Sequence, residues 1–567
     1  MKTAFFIREK AVFNIKNISL IVSWIRQVIR QPVEQLRLCS RLIQQSSTWL
    51  NLPLPSSIIC GAGFLLLGPW GFSVLAQEAA DQKPSYDFQD VFLAFVLLGF
   101  LILVGRLIRQ SIPLLQALFL PSSIVAGVVA LLLGPSALGA IASSVAGKEF
   151  FLANGIFPPE VQAVWSAVPG VFINIVFAAI FLGEFIPSPR EIWRVAAPQV
   201  AFGQTIAWGQ YVVGLLLAIT VLTPIFKLDP IAGALIEIAF EGGHGTAAGM
   251  AQTLTNLGFE AGPDLALGLA TVGIVTGVLA GVLLANWGRK KGYIPTDYQG
   301  DVELEEASDG HPDQSPEAKA ARARRARTLL IDPMSLHFGF VGLAIGIGWL
   351  ILQALTFIES VTWNRGGNGL EILSAIPLFP LALVGGIIVQ IVLTRLGRSY
   401  LINRQLMNRI GGVALDATIV TALASISLAV LGSNIGAFLV LSIAGILWNV
   451  LVFIYLAPRI IPTYWFERGI GDMGQSMGVT ATGLLLMRMV DPSNRSGAFE
   501  SFAYKQLFFE PIVGGGLFTA AAPPLINRFG PIPVLLLTSV ILAFWLIFGL
   551  LNYRQITSSM EEQAQNS

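Results

Sequence analysis

Apolar residues recur in runs of about twenty from one end of the chain to the other, separated by shorter polar stretches. A helix needs roughly 20 mostly apolar residues to cross the hydrocarbon core of a bilayer. Twelve runs meet that need: Ile58–Leu75, Val91–Val104 with its flanks, Leu114–Leu133, Val168–Phe185, Val195–Val221, Leu265–Trp287, Phe338–Phe357, Ile372–Val392, Gly411–Leu431, Ile435–Leu456, Phe502–Ala522 and Val534–Leu551. Two further segments, Ile231–Met250 and Gly469–Met489, are shorter on apolar residues and rich in glycine. The pattern predicts an all-α polytopic membrane protein. The strands of a membrane barrel would instead alternate in character over about ten residues.

Charge decides how the segments thread. If all fourteen crossed, Arg289, Lys290, Lys291 and the cluster Arg322, Arg324, Arg325 and Arg327 would lie outside, against the positive-inside rule. If Ile231–Met250 and Gly469–Met489 each enter and leave by one face, nearly all of the 35 Lys and Arg residues fall on the cytoplasmic side, with Lys505 inside a crossing. Both termini are then cytoplasmic in the inner (plasma) membrane. The argument is stronger for the first segment than for the second, where only Arg495, Arg528 and Arg554 bear on the choice.

Composition narrows the function. Hydrophobic residues make up 54% and charged residues 12%, too few charges for a water-exposed surface, and a net charge of +1 leaves no footprint for nucleic acid. Cys39 and Cys60 form neither a disulfide framework nor a metal site, and three histidines (His244, His311 and His337) make no transition-metal constellation. No phosphate-cradling loop points to ATP, and no organic cofactor is implied.

The organisation reads as follows. Residues 1–57 are a basic cytoplasmic tail; 58–76 are an extra crossing or, given Val74-Leu75-Ala76 before Gln77, a signal peptide. Residues 87–288 form a first repeat, 289–334 a polar cytoplasmic linker, 335–528 a second repeat, and 531–567 an extra crossing with a C-terminal tail. Each repeat has five crossings and one glycine-rich hairpin, entered from opposite sides, which is the signature of an inverted-topology repeat.

Candidate chemistry collects at the glycine-rich segments. Non-helical backbone inside a bilayer is tolerated only where protein or a water-filled cavity surrounds it. Glu241-Gly242-Gly243-His244-Gly245-Thr246 is such a stretch: the glycines let the chain turn, freed carbonyls can ligate Na⁺, and Thr246 offers a hydroxyl. Its plainer alternative is a tight helix-packing corner. The counterpart runs from Gly469 through Asp472, Gln475, Ser476 and Gly478 to Thr480, with side-chain oxygens suited to a hard cation or a substrate ammonium. Here the alternative is a loop capped by Asp472. Asn174 and Asp416 are isolated polar groups inside apolar runs, and such groups are functional candidates by default.

At these residues the sequence resembles the glutamate:sodium symporter family of bacteria. Gly242-Gly243-His244-Gly245-Thr246 matches that family's first signature, as does Ala270-Thr271-Val272-Gly273-Ile274-Val275 in the next crossing. Gly105-Arg106, Pro121 through Gly127 and Pro511-Ile512-Val513-Gly514 look similar too. The second signature departs: it has no proline after Thr480, and Glu241 stands where a small hydroxyl residue is expected. The resemblance implies two inverted five-helix domains, a homodimer and Na⁺-driven uptake by alternating access. The expected substrate is L-glutamate or a related small carboxylate, held by Gly242, Gly243, His244, Gly245, Thr246, Gln475, Ser476, Gly478 and Thr480. Glu241, Asn174, Thr271, Asp416 and Asp472 are the candidate Na⁺ ligands. Two other classes stand beside this reading. One is a passive channel of the same architecture. The other is an intramembrane aspartyl protease using Asp416 and Asp472, disfavoured by Leu415 and by the crossing between the two acids; no enzyme is expected.

Overall fold

The computed structural model describes residues 86–118, 120–294, 332–362, 364, 373–492 and 495–566. The N-terminal tail, Ile58–Leu75 with its cleavage signal, both cysteines, His311 and most of the linker lie outside the described residues. Among those described there are helices and turns and no strand.

Among the described residues, ten helices are long and apolar enough to cross a bilayer. They are α1 (Phe88–Ser111), α2 (Ser122–Ala146), α3 (Pro159–Ala179), α4 (Val195–Phe226), α5 (Gly262–Lys291), α6 (Pro333–Val361), α7 (Leu378–Arg395), α8 (Arg404–Ala424), α9 (Ile435–Ile460) and, last in the chain, Pro531–Ser559. Helices dominate because hydrocarbon offers backbone N–H and C=O groups no other partner. Ends are set locally. Asp87 and Asp90 close a capping box at the start of α1, and Asp332 caps α6 ahead of Pro333. At the other end of α5, Gly292 takes the left-handed conformation just after Arg289, Lys290 and Lys291, cations that suit a helix C-terminus.

Ten of the twelve predicted crossings correspond to these helices. The run Ile58–Leu75 is not described, and Phe502–Ala522 is a correction. That run is two helices, α11 (Ala498–Phe509) and α12 (Leu517–Phe529), on either side of a turn in which Gly514 and Gly515 have φ of +71° and +103°. The turn is hidden in an apolar run because Ile512 and Val513 flank it. Pro511 and three successive glycines, Gly514 to Gly516, mark it in retrospect. The last crossing, Pro531–Ser559, is α13.

Packing falls into two groups of helices. In one, α1 packs on α2, α6 on α7, α3 on α7, α2 on α8, and α3 on α8. Exchanging α1, α2 and α3 for α6, α7 and α8 leaves this set of pairings unchanged. In the other group, α4 packs on α9, α11 and α13, and α5 on α9 and on α10 (Trp465–Val490). The second glycine-rich segment is built into this second group, and the first spans both groups.

The second glycine-rich segment is α10, whose helical geometry fails at Gly478 and Val479. Along a straight helix, Gly471 and Gly483 would be ~18 Å apart. Here a Cβ on Gly483 would lie 2.4 Å from the Gly471 carbonyl oxygen, and one on Gly474 would lie 3.0 Å from the Gly483 Cα. The chain therefore doubles back, and glycine on both arms lets the backbones touch. The first segment is broken into short helical pieces: Pro230–Ala234, Glu237–Glu241, Gly243–Gly249 and Ala251–Asn256. Before the break it packs on α4 and α9, with Gly233 against Leu215 and with Phe240 and Ile236 over Gly445. After the break it packs on α3 and α8, with Gly245 against Ile173 and Leu415.

Candidate functional site

The two breaks meet. Gly243 has φ of +65°, and Val479 has φ of +62°. A Cβ on Gly243 would lie 2.2 Å from the Val479 Cγ1, so glycine is required there twice over, by its conformation and by its neighbour. Val479 is a β-branched residue in a region that such residues rarely enter, a strain of about 1–3 kcal/mol. Helix α5 closes over this junction: a Cβ on Gly273 would lie 2.3 Å from the Met477 carbonyl oxygen, and one on Gly478 would lie 3.1 Å from the Ile274 Cα.

On the first segment, two glutamates one turn apart have opposite surroundings. Glu237 is fully buried and saturated: one oxygen accepts from Tyr211 Oη at 2.5 Å, the other from the Gly514 N–H and Thr519 Oγ1, both at 2.8 Å. Glu241 is buried, and among the described residues neither of its oxygens has a hydrogen-bond partner. Ser476 of the second segment lies alongside it without a well-formed hydrogen bond, and Lys505 and Glu510 are within electrostatic reach. The Thr246 and Ser476 hydroxyls are likewise buried and unpartnered. Thr246 faces the turn between α11 and α12, where a Cβ on Gly515 would lie 2.5 Å from its Oγ1. Buried polar groups are nearly always hydrogen-bonded. Beside the junction of the two breaks, Glu241 is thus a carboxylate without a hydrogen-bonded donor, and the Thr246 and Ser476 hydroxyls neither donate nor accept.

His244 Nε2 is 2.9 Å from Thr271 Oγ1, and Thr271 donates in turn to the Leu267 carbonyl at 3.0 Å. With that hydroxyl proton committed, His244 donates from Nε2 and is left with an unpartnered acceptor at Nδ1.

The second segment holds a connected network. Lys505 Nζ donates to Asp472 Oδ1 at 2.8 Å and Gln475 Oε1 at 2.7 Å. Gln475 and Gln506 exchange hydrogen bonds, and Gln475 reaches Glu510 Oε1 at 3.4 Å. Thr480, next to the break, donates to the same Glu510 oxygen at 3.3 Å. Gln210 of α4 ties the arm down, donating to the Ser476 carbonyl at 2.7 Å and to Asn449 Oδ1 at 3.1 Å.

Residues 170–491, more than half of the chain, match the family described as sodium/glutamate symporter. The chain belongs to that family. No curated protein matches it. Membership makes the protein a symporter-type transporter, with Na⁺ as coupling ion, and the family is one of transporters rather than enzymes. The matched stretch contains both breaks and α5, and it ends before α11.

Against this family background the predicted site residues divide. Glu241, Gly242, Gly243, His244, Gly245, Thr246 and Thr271 lie on the first segment and α5; Asp472, Gln475, Ser476, Gly478 and Thr480 lie on the second; the contact of Gly243 with Val479 brings the two sets together. Two residues have other side-chain neighbours. The Asn174 amide donates to the Gly170 and Val171 carbonyls of its own helix. Asp416 lies beside Ser123 of α2. Neither Asp416 nor Asp472 has the other as hydrogen-bond partner, so the acid pair of a protease is not assembled. Sequence reasoning passed over Lys505, Gln506, Glu510, Tyr211, Thr519, Gln210 and Asn449. Lys505 carried a usable signal, as an ionisable residue inside an apolar run.

Proposed function

We propose that the chain carries out Na⁺-coupled symport of L-glutamate or a closely related small carboxylate by alternating access. The observation that carries this reading is the meeting of two broken segments beside three buried, unpartnered oxygen-bearing side chains, Glu241, Thr246 and Ser476. Oxygen lone pairs from a carboxylate and two hydroxyls, engaged in no hydrogen bond, suit a hard cation. Na⁺ held there offsets the charge of Glu241 and lets a carboxylate substrate approach the adjoining glycine-rich backbone. Gly242, Gly243, His244, Gly245, Gln475, Gly478 and Thr480 line the substrate's side, Glu241 and Thr271 lie on the ion's side, and Thr246 and Ser476 stand between the two.

Both broken segments are read as re-entrant hairpins, and the exchangeable pairing of α1–α3 with α6–α8 supports an inverted repeat. In this reading the junction is exposed to one side of the membrane at a time. The termini are cytoplasmic in the inner membrane, and two copies associate as a homodimer. The test is uptake of labelled L-glutamate into proteoliposomes under an imposed Na⁺ gradient. Accumulation that collapses when Na⁺ is replaced by choline is the expected result; uptake indifferent to the Na⁺ gradient rejects the coupling.

A further inference from the structure

Lys505 lies beyond the family match, and its ammonium is enclosed on every side. Two oxygens accept from it, Asp472 Oδ1 and Gln475 Oε1. The rings of Phe502 and Phe509 stand 4.7 Å and 4.3 Å from it, close enough for their faces to attract a cation. Room for the side chain comes from α4: a Cβ on Gly203 would lie 3.0 Å from the Lys505 Cδ and 3.2 Å from its Nζ. Neither Lys505 nor Asp472 exposes any side-chain surface. Taking both charges out of water costs several kcal/mol per ion unless each offsets the other, so an ionised Asp472 in this setting requires a cation.

We propose that Lys505 is that cation: a tethered ammonium that fills the place of a mobile coupling ion on the second hairpin, so that Asp472 binds no Na⁺ in the native protein. This rests on the reading of the chain as a Na⁺-coupled symporter. The amine is wired to the junction rather than set apart from it. Gln475 accepts from Lys505 and reaches Glu510, which also accepts from Thr480 beside the break. The carboxylates facing the ammonium are Asp472, Glu241 and Glu510. One fixed positive charge among them lowers by one the number of mobile cations needed to neutralise the site. A tethered cation is never released, so it moves no charge between compartments. Lys505 therefore sets the ion-to-substrate ratio, and Asp472 is removed from the set of Na⁺ ligands.

The experiment compares the full-length protein with Lys505→Met and with Lys505→Met/Asp472→Asn. In proteoliposomes, ²²Na⁺ and labelled L-glutamate fluxes are measured together. In detergent, thermal unfolding is followed with NaCl against choline chloride. The expected result is a flux ratio higher by one Na⁺ per glutamate in Lys505→Met, and a stabilisation by Na⁺ that exceeds the wild-type response. The double variant, with neither charge, returns to the wild-type Na⁺ response. An unchanged ratio and an unchanged Na⁺ response in Lys505→Met overturn the proposal, as does an equal gain in the double variant. If Lys505→Met is stable only in Na⁺, the ion has replaced the amine and the proposal stands. If it fails in both salts while the double variant is stable, Na⁺ cannot take the amine's place and the proposal falls. Absence of glutamate uptake by the wild type rejects the symport reading, while the unfolding arm still decides the role of Lys505.

Discussion

The two broken segments solve one geometric problem with different side chains. Each must reverse in a left-handed backbone conformation inside the bundle. The first uses glycine at Gly243, without strain; the second uses Val479, whose side chain fills the space that the glycine leaves open. Their carboxylates differ in the same way. On the first segment Glu237 is saturated by three donors and Glu241 by none; on the second Asp472 is held by Lys505. The comparison teaches that the acid of one segment has no donor bonded to it, whereas the acid of the other has one of its two oxygens bound by a cation of the chain's own and the second oxygen unpartnered.

The heaviest blow to this arrangement is Gly243→Ala. It adds a methyl group into the Val479 side chain and forces a left-handed alanine, so uptake of labelled glutamate should fall to background. Gly243→Ala/Val479→Gly should recover part of it, because the steric half of the penalty is gone. No recovery would mean that the tips do not touch as described.

Glu237→Ala and Glu241→Ala separate the saturated acid from the free one. Removing Glu237 strands three buried donors at about 1–3 kcal/mol each, which a thermal unfolding experiment in detergent should read as a large drop in Tm. Removing Glu241 breaks no hydrogen bond, so Tm should hold or rise while the Na⁺ concentration for half-maximal uptake climbs about tenfold, equivalent to ~1.4 kcal/mol. Similar unfolding curves for the two variants would erase the distinction between the acids.

Thr246→Val and Ser476→Ala each delete one unpartnered hydroxyl without disturbing a hydrogen bond. Each should weaken Na⁺-driven uptake several-fold, about 1 kcal/mol, at undiminished membrane abundance. Unaltered kinetics in both would move the ion site elsewhere. The mildest change is Val479→Gly. It releases about 1–3 kcal/mol of strain and gives back roughly 0.5–1 kcal/mol in unfolded-state entropy. Stability measured by thermal unfolding should therefore stay level or rise by no more than about 2.5 kcal/mol. A large loss would show that the valine side chain, rather than the backbone turn, holds the junction.

Much of the fold was legible because apolar length and glycine content act locally. Runs of about twenty residues announced ten of the helices, and paired glycines announced both breaks. Phe502–Ala522 misled because its turn lies between apolar residues, where hydropathy stays high while the backbone bends. The site was legible in part. Gly242 to Thr246 and Gln475 to Thr480 stood out as polar stretches in apolar surroundings, but Asn174 and Asp416 stood out on the same grounds and lie against other neighbours. Gln210, Tyr211 and Asn449 gave single polar letters in long helices, and nothing in a one-dimensional pattern says which face such a residue occupies.

The sequence by itself determined that the chain spans a membrane as helices and that two of its segments cannot be straight, since both follow from the cost of leaving backbone groups unpaired in hydrocarbon. Only the tertiary structure decided which acids are neutralised and by what. Asp472 meets Lys505 across 33 positions, and Glu237 meets Gly514 and Thr519 across 277 and 282. Electrostatic and hydrogen-bond energies depend on distance in space, and packing alone brings those partners together.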